Sequence, residues 1–353
     1  MDSERLDFLK QLLSTPGPSG DEEAAARVWR ANARAFADGV RADVAGNSYA
    51  VLEGEGPRVL LAGHIDEIGL MVSYIDEHGF LSFAGVGGWD AQVLVGQRVR
   101  LLAPGGELIG VIGKKPIHLI KPDERGQATA IDRLWIDIGA TSRDEALARV
   151  PLGCTAVLDA PLYELPNNRL VSRGLDNRIG AFVVLEALRL LSADRPRATV
   201  AAVATTQEEI TFAGAMAAAF TVDPHVAIAV DVTFSTDHPD SDKQQWGDVK
   251  LGGGPVLSRG SANSPLVFRR LVEVAEREGI AYSLQMAPRY SGTDADAIHK
   301  ARGGIATGVV SIPTRYLHSP NEMVALADVE QAARLIAAFV RSLREPDEFV
   351  PAL

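Results

Sequence analysis

Val200-Ala-Ala-Val-Ala-Thr-Thr-Gln-Glu-Glu-Ile210 is a run of small apolar residues that stops abruptly at two adjacent carboxylates. A short run of low charge, without alternation, fits a central strand buried on both faces of a parallel sheet. In open α/β sheets the ligand site lies beyond the carboxyl ends of the strands. Glu208 and Glu209 stand at such an end. Neighbouring side chains on a strand point to opposite faces, so the pair converges on one site only if the chain leaves the sheet there. One glutamate is then free to hold a metal while the other faces a water.

The same pattern recurs on both sides of this stretch. Val59 to Ala62 reads as a short buried strand, with Gly63-His-Ile-Asp-Glu67 at its carboxyl end. His64 and Asp66 are two apart, close enough for the carboxylate to orient the imidazole or to touch the same ion. His225-Val-Ala-Ile-Ala-Val-Asp-Val232 is another apolar run leading to an acid, Asp231. Ile305 to Ile312 is a third, and His318 follows it in Pro313-Thr-Arg-Tyr-Leu-His-Ser-Pro-Asn-Glu322. Asp176 precedes a helix expected over Ala181 to Leu191, where it serves either as an N-cap or as a ligand. Ser291-Gly-Thr-Asp-Ala-Asp-Ala297 opens a further helix, with Asp294 or Asp296 as its cap. The turn Gly252-Gly-Gly-Pro255 lacks the spacing of a nucleotide-binding loop.

The expected fold is α/β: a mixed, largely parallel central sheet flanked by helices, with a small β-barrel inserted. Helical spacing predicts helices over Ser3 to Leu13, from Ser19 or Gly20 onward with Asp21, Glu22 and Glu23 in the first turn, and over Phe212 to Phe220, Leu266 to Gly279 and Leu326 to Leu343. Val40 to Leu52 reads as a hairpin and Tyr282 to Met286 as a short strand. Between 73 and 162 short β-like pieces alternate with glycine-rich turns, at Phe80 to Phe83, Gly85 to Gly88, Gln97 to Leu102, Leu108 to Ile112, Leu134 to Ile138 and Thr155 to Leu158. Residues 73–162 are therefore assigned to the barrel, and 1–72 with 163–353 to the larger catalytic domain. Lys121 to Gly126 reads as an exposed loop.

Composition narrows the partners. Lys and Arg number 35 against 46 Asp and Glu, a net charge of −11 that disfavours nucleic acid and anionic membranes. No 18-residue apolar run suggests a membrane span, and the acidic N-terminus does not resemble a signal peptide. Cys154 is the one cysteine, which excludes an intrachain disulfide and points to the cytoplasm. It reads as a small buried hydrophobe.

Two imidazoles and several carboxylates delivered from separate strand ends suit zinc, cobalt or manganese rather than calcium or an iron–sulfur cluster. They are too many for one tetrahedral ion with an open position, and suit two ions sharing a carboxylate and a water. Five segments, Gly63-His-Ile-Asp-Glu-Ile-Gly-Leu-Met71, Arg173-Gly-Leu-Asp-Asn-Arg-Ile-Gly180, Gln207-Glu-Glu209, Ala229-Val-Asp-Val232 and Tyr316-Leu-His-Ser-Pro-Asn-Glu322, resemble in order the signatures of the tetrahedral (TET) metalloaminopeptidases. That family includes glutamyl, leucyl and lysyl aminopeptidases, some once labelled cellulases.

The resemblance implies that Asp176 bridges two divalent ions, zinc or cobalt in many members. It implies that His64 and Asp231 complete one shell, and Glu209 and His318 the other. Glu208 would be the general base, with Asp66 orienting His64. Short peptides would be the substrates, and dimers would assemble into a twelve-subunit tetrahedron through the inserted domain. Gln92, within Gly88-Trp-Asp-Ala-Gln-Val-Leu94, would reach a neighbouring subunit's site, and Gly292 and Thr293 join it as candidate substrate-binding residues. Three rivals stay open: a related dinuclear amidase or deacylase, an endoglucanase using Glu208 and Glu209, and a metal-dependent assembly protein without activity.

Overall fold

The computed structural model describes residues 1–122 and 126–351, so 123–125 of the expected Lys121 to Gly126 loop lie outside the described residues. The chain forms a mixed α/β domain around an eight-stranded sheet, with a closed six-stranded barrel attached. In spatial order the sheet runs Gly39–Ala42, Ser48–Leu52, Thr199–Thr205, Arg58–His64, Val226–Phe234, Ala306–Thr314, Val256–Gly260, Ser283–Ala287. The four central strands, Thr199–Thr205 to Ala306–Thr314, are mutually parallel, and antiparallel pairings begin only outside them.

Burial on both faces explains the unbroken apolar runs. Val59, Leu61, Val200, Ala202, Val226 and Ile228 pack on one side, under the helices Ser3–Ser14, Glu23–Ala33, Leu175–Ala193, Pro265–Glu278 and Leu326–Ser342. Leu60, Ala62, Ala201, Val203 and Ala227 pack on the other, against Ala215, Ala218 and Ala219 of the helix Ala213–Val222. Alanine on both surfaces lets that helix lie close to the sheet. Gly63 meets a similar demand on the first side, since a Cβ there would sit 2.5 Å from the backbone of Gly180.

Several helix boundaries follow from local chemistry. Asp2 caps Ser3–Ser14 by accepting from the Arg5 N–H at 2.8 Å. Ser264 caps Pro265–Glu278, with proline at its first position and Gly279 in the left-handed region at its end. The second helix starts at Glu23, later than expected. Ser19 and Gly20 lie in a turn closed by the Asp21 amide on the Pro18 carbonyl, with Ser19 bonded to Asp66. Glu22 takes the N-cap position while its carboxylate accepts from the amides of Gly20 and Gln207.

The barrel comprises Gly69–Ile75, Leu81–Val86, Trp135–Asp137, Gly106–Gly113, Arg98–Ala103 and Thr155–Leu158, closed around Leu70, Val72, Leu81, Val99, Leu101 and Ile136. Cys154 is buried at its edge. The strand expected over Gly85 to Gly88 stops at Val86, and Gly87 and Gly88 lead out toward the larger domain. A small sheet of Tyr163–Leu165, Arg169–Ser172 and Glu322–Ala325 was not anticipated. Among the described residues no helix is long and apolar enough to cross a membrane.

Candidate metal centre

The parallel register brings the strand ends together. Thr205 lies beside His64, and the pairing of Ala62 with Ala229 carries Asp231 to the same end of the sheet. Asp231 is opposite Ser311 on the next strand, which ends at Thr314 and delivers His318 four residues later. The strand holding Asp231 runs on to Phe234, so that acid stands inside a strand, not at its end. After Thr205 the chain leaves the sheet through Gln207, at φ +57°, into the short helix Glu208–Thr211. That exit places both glutamates on one side, as two consecutive strand residues could not be.

Asp176 sits at the start of Leu175–Ala193 in a non-helical conformation, and its side chain caps no helical amide. Its two carboxylate oxygens instead face two histidines. Oδ1 lies 3.3 Å from His64 Nε2 and Oδ2 lies 3.4 Å from His318 Nε2. Around His64 Nε2 stand Glu208 at 3.7 Å and Asp231 at 3.8 Å, and Glu209 is 3.6 Å from His318 Nε2. The donor atoms form two groups, His64 with Asp176 and Asp231, and Asp176 with Glu209 and His318, each within 4.8 Å. Asp176 is common to both.

Both imidazoles have one nitrogen engaged and the other aimed inward. His64 Nδ1 is 3.2 Å from the Asp66 carbonyl and 3.3 Å from its carboxylate. His318 Nδ1 is 2.7 Å from the Gly88 carbonyl on the segment leaving the barrel. A histidine that donates from Nδ1 to oxygen keeps the Nε2 lone pair for a cation. His64 Nε2 and Glu209 Oε1 are buried with no hydrogen-bond partner, which uncoordinated polar atoms rarely tolerate. The nitrogen and oxygen donors, and the open cleft beside them, fit a pair of divalent cations.

Electrostatics agree. Burial pushes Glu208 up to about 11 against the pull of His64, with Asp231, Asp294 and Asp176 adding repulsion. Burial, then Asp176, pushes Glu209 up to about 8. Asp231 is raised well above the usual carboxylate range, again chiefly by burial. Burial opposes charge on His64, yet Glu208 and Asp66 hold its pKa well above the ordinary value. The hydrogen bond to Asp176 raises His318 to about 10. Carboxylates crowded this closely repel one another unless positive charge lies among them.

A second tier of residues fixes this geometry, and most of it escapes a reading of the sequence. Asp66 accepts from the amides of Glu208 and Glu209, each at 3.2 Å, and from the Ser19 hydroxyl. Glu22 accepts from the Gln207 amide at 3.2 Å. Glu67 pairs with Arg173 and, at 2.8 Å, with Arg178, tying the two signature segments together inside the protein. Asn177 donates to the Val230 carbonyl at 2.7 Å. Glu322 accepts from the amides of Asp176 and His318.

The cluster opens into a cleft of about 830 Å³, walled by Phe212, Val232, Phe234, Trp246, Met286 and Leu317 among others. Gly292 and Thr293 line it. The expected helix at Ser291 reduces to Ala295–Ile298. Asp296 does not cap it but braces the preceding loop, accepting from the amides of Ser291 at 3.0 Å and Gly292 at 2.8 Å. Asp294 turns inward to the Thr205 hydroxyl. Gln92 is exposed in the turn Ala91–Leu94 and is not part of the cleft wall.

A family model described as M42 glutamyl aminopeptidase matches residues 46–335. A lysyl aminopeptidase of Pyrococcus furiosus is 35% identical over 348 residues, 98% of this chain and 99% of that protein. A TET aminopeptidase from a marine sediment archaeon of the Thaumarchaeota superposes with a TM-score of 0.92 at 34% identity, covering 97% of each chain. The TET1 peptidase of Pyrococcus horikoshii, described as assembling into a tetrahedron or a large octahedral shell, superposes at 0.86 with 33% identity, covering 96% of this chain and all of that one. With the fold, the cluster and these likenesses in agreement, the chain belongs to the M42 aminopeptidase family.

Proposed function

We propose that the protein removes N-terminal residues from short peptides at a two-cation centre, with Glu208 as general base. The observation that carries this reading is the placement of Asp176, one oxygen toward each histidine-containing group. His64 and Asp231 would hold one cation and Glu209 and His318 the other, with Asp176 offering an oxygen to each. Zinc, cobalt or manganese suits these donors. When bound, such a pair supplies Lewis-acid polarisation of the scissile carbonyl and makes a neighbouring water easier to deprotonate.

The remaining work belongs to the protein. Glu208 lines the cleft beside His64, where its carboxylate takes a proton from the attacking water and returns it to the leaving amine. Asp66 holds His64 in the tautomer that leaves Nε2 free, and grips the turn bearing both glutamates. Gly292 and Thr293 sit where a bound peptide runs through the cleft, and the apolar wall receives its first side chain. Gln92, exposed and not among the residues that line this chain's own cleft, is assigned to the site of a neighbouring copy. Copies of the chain assemble from dimers into a twelve-subunit tetrahedral shell, a reading supported by the dodecamer and the tetrahedral shell described for the P. horikoshii relative. A cytoplasmic location accords with the single cysteine.

The glycosidase rival fits poorly. Paired glycosidase carboxylates flank a bond about 5 Å or more apart, whereas Glu208 and Glu209 are consecutive and each faces a histidine. A panel of aminoacyl p-nitroanilides and their N-acetylated counterparts separates the others. Hydrolysis of free aminoacyl substrates alone, abolished by a chelator and restored by zinc, cobalt or manganese, is expected. Equal turnover of the acetylated substrates would mark an amidase or deacylase, and no turnover at all a binding protein.

A further inference from the structure

We infer that Glu322 is a positioning residue that sets the separation of Asp176 and His318, and through it the fit of the second cation. This rests on the two-cation reading above. Glu322 is 2% exposed and opens the strand Glu322–Ala325, where it pairs directly across from Ser172. Its carboxylate therefore starts from a fixed point four residues before Asp176. Oε2 accepts from the Asp176 amide and Oε1 from the His318 amide, both at 3.0 Å. One side chain thus spans the two loops that carry the shared aspartate and the outer histidine.

The residue type follows from the donors it meets. Two inward-facing N–H groups need two acceptors, and only a carboxylate offers two without bringing a donor of its own. Glutamine would set an NH2 group against one amide, and aspartate is a methylene too short to reach both. Glu322 forms no ion pair with lysine or arginine among the described residues, so no salt bridge accounts for a buried carboxylate here. His318 itself has φ +56°, a conformation that a side chain other than glycine holds only when its surroundings enforce it.

Asp66 offers a parallel on the other side of the centre. Its two oxygens accept from the consecutive amides of Glu208 and Glu209. The centre is thus clasped by two buried carboxylates that each grip the backbone of two candidate residues. Asp66 governs the glutamate turn and His64, and Glu322 governs the Asp176–His318 half.

The test compares the full-length protein with Glu322→Gln and Glu322→Asp. Cation count is read by elemental analysis, stepwise affinity by competition with a chromophoric chelator, and geometry by the visible spectrum of the cobalt-loaded protein. The wild type is expected to bind two cations. Each variant should keep the first and bind the second about 10- to 100-fold more weakly, with an altered cobalt spectrum. Activity should return at raised cation concentration with KM unchanged.

Wild-type affinity for both cations in either folded variant, even one with a lowered Tm, would overturn the assignment and leave Glu322 a structural clasp. The aspartate variant carries the test should the glutamine variant fail to fold. A wild type that binds fewer than two cations would instead overturn the two-cation reading itself.

Discussion

Glu208→Gln is expected to retain both cations while kcat falls by about 10²-fold or more. The substitution keeps the size of the side chain and removes only its capacity to accept and return a proton. Glu208 stands 3.7 Å from His64 Nε2 and opens onto the cleft, a position from which it would serve as the proposed base. Burial beside Asp231, Asp294 and Asp176 already favours its uncharged form, so an uncharged amide of the same size should leave the fold intact. Elemental analysis alongside steady-state kinetics decides the matter. Normal turnover in the metal-loaded variant would remove Glu208 as the base, and a halved metal count would recast it as a ligand.

Asp176→Ala should have the largest effect on metal content. The change deletes the oxygen facing His64 and the oxygen facing His318 together, leaving each group one donor short. Affinity for both cations should fall by more than the roughly 10- to 100-fold typical of changes outside the ligand shell. His64→Ala, by contrast, should weaken one cation chiefly. Metal content after gel filtration, with circular dichroism to verify folding, reads the outcome. An unchanged count of two would end the bridging role.

Much of this architecture is legible in the sequence because it depends on local pattern. The apolar runs at Val59, Val200, Val226 and Ile305 announce strands buried on both faces, and their acids and histidines announce a site at one end. For Glu208 and Glu209 strand geometry sets only the condition that the chain leave the sheet if both are to converge, and the structure meets it at Gln207. What escapes is held by the backbone of remote segments. Glu322 binds the Asp176 amide and Glu22 the Gln207 amide, and no spacing rule connects a side chain to an amide so far along the chain.

The late start of the second helix has the same origin. Ser19 has the composition of a helix opening but is drawn off to Asp66, and the cap falls instead to Glu22, whose carboxylate reaches the remote Gln207 amide. The pair Glu67 and Arg178 lies within quoted signatures, yet only the folded chain reveals that one buried carboxylate joins two of them. Gln92 does not line the cleft of its own chain, and its proposed place in a neighbouring copy's site is a contact that no pattern within one chain encodes.

The central claim is that two cations share Asp176. Anomalous diffraction from crystals of the zinc-loaded protein tests it most directly. Two peaks are predicted, one at about 2.0–2.2 Å from His64 and Asp231, the other at that distance from Glu209 and His318, with one Asp176 oxygen on each. A single peak, or two peaks of which either lacks Asp176, would contradict the account.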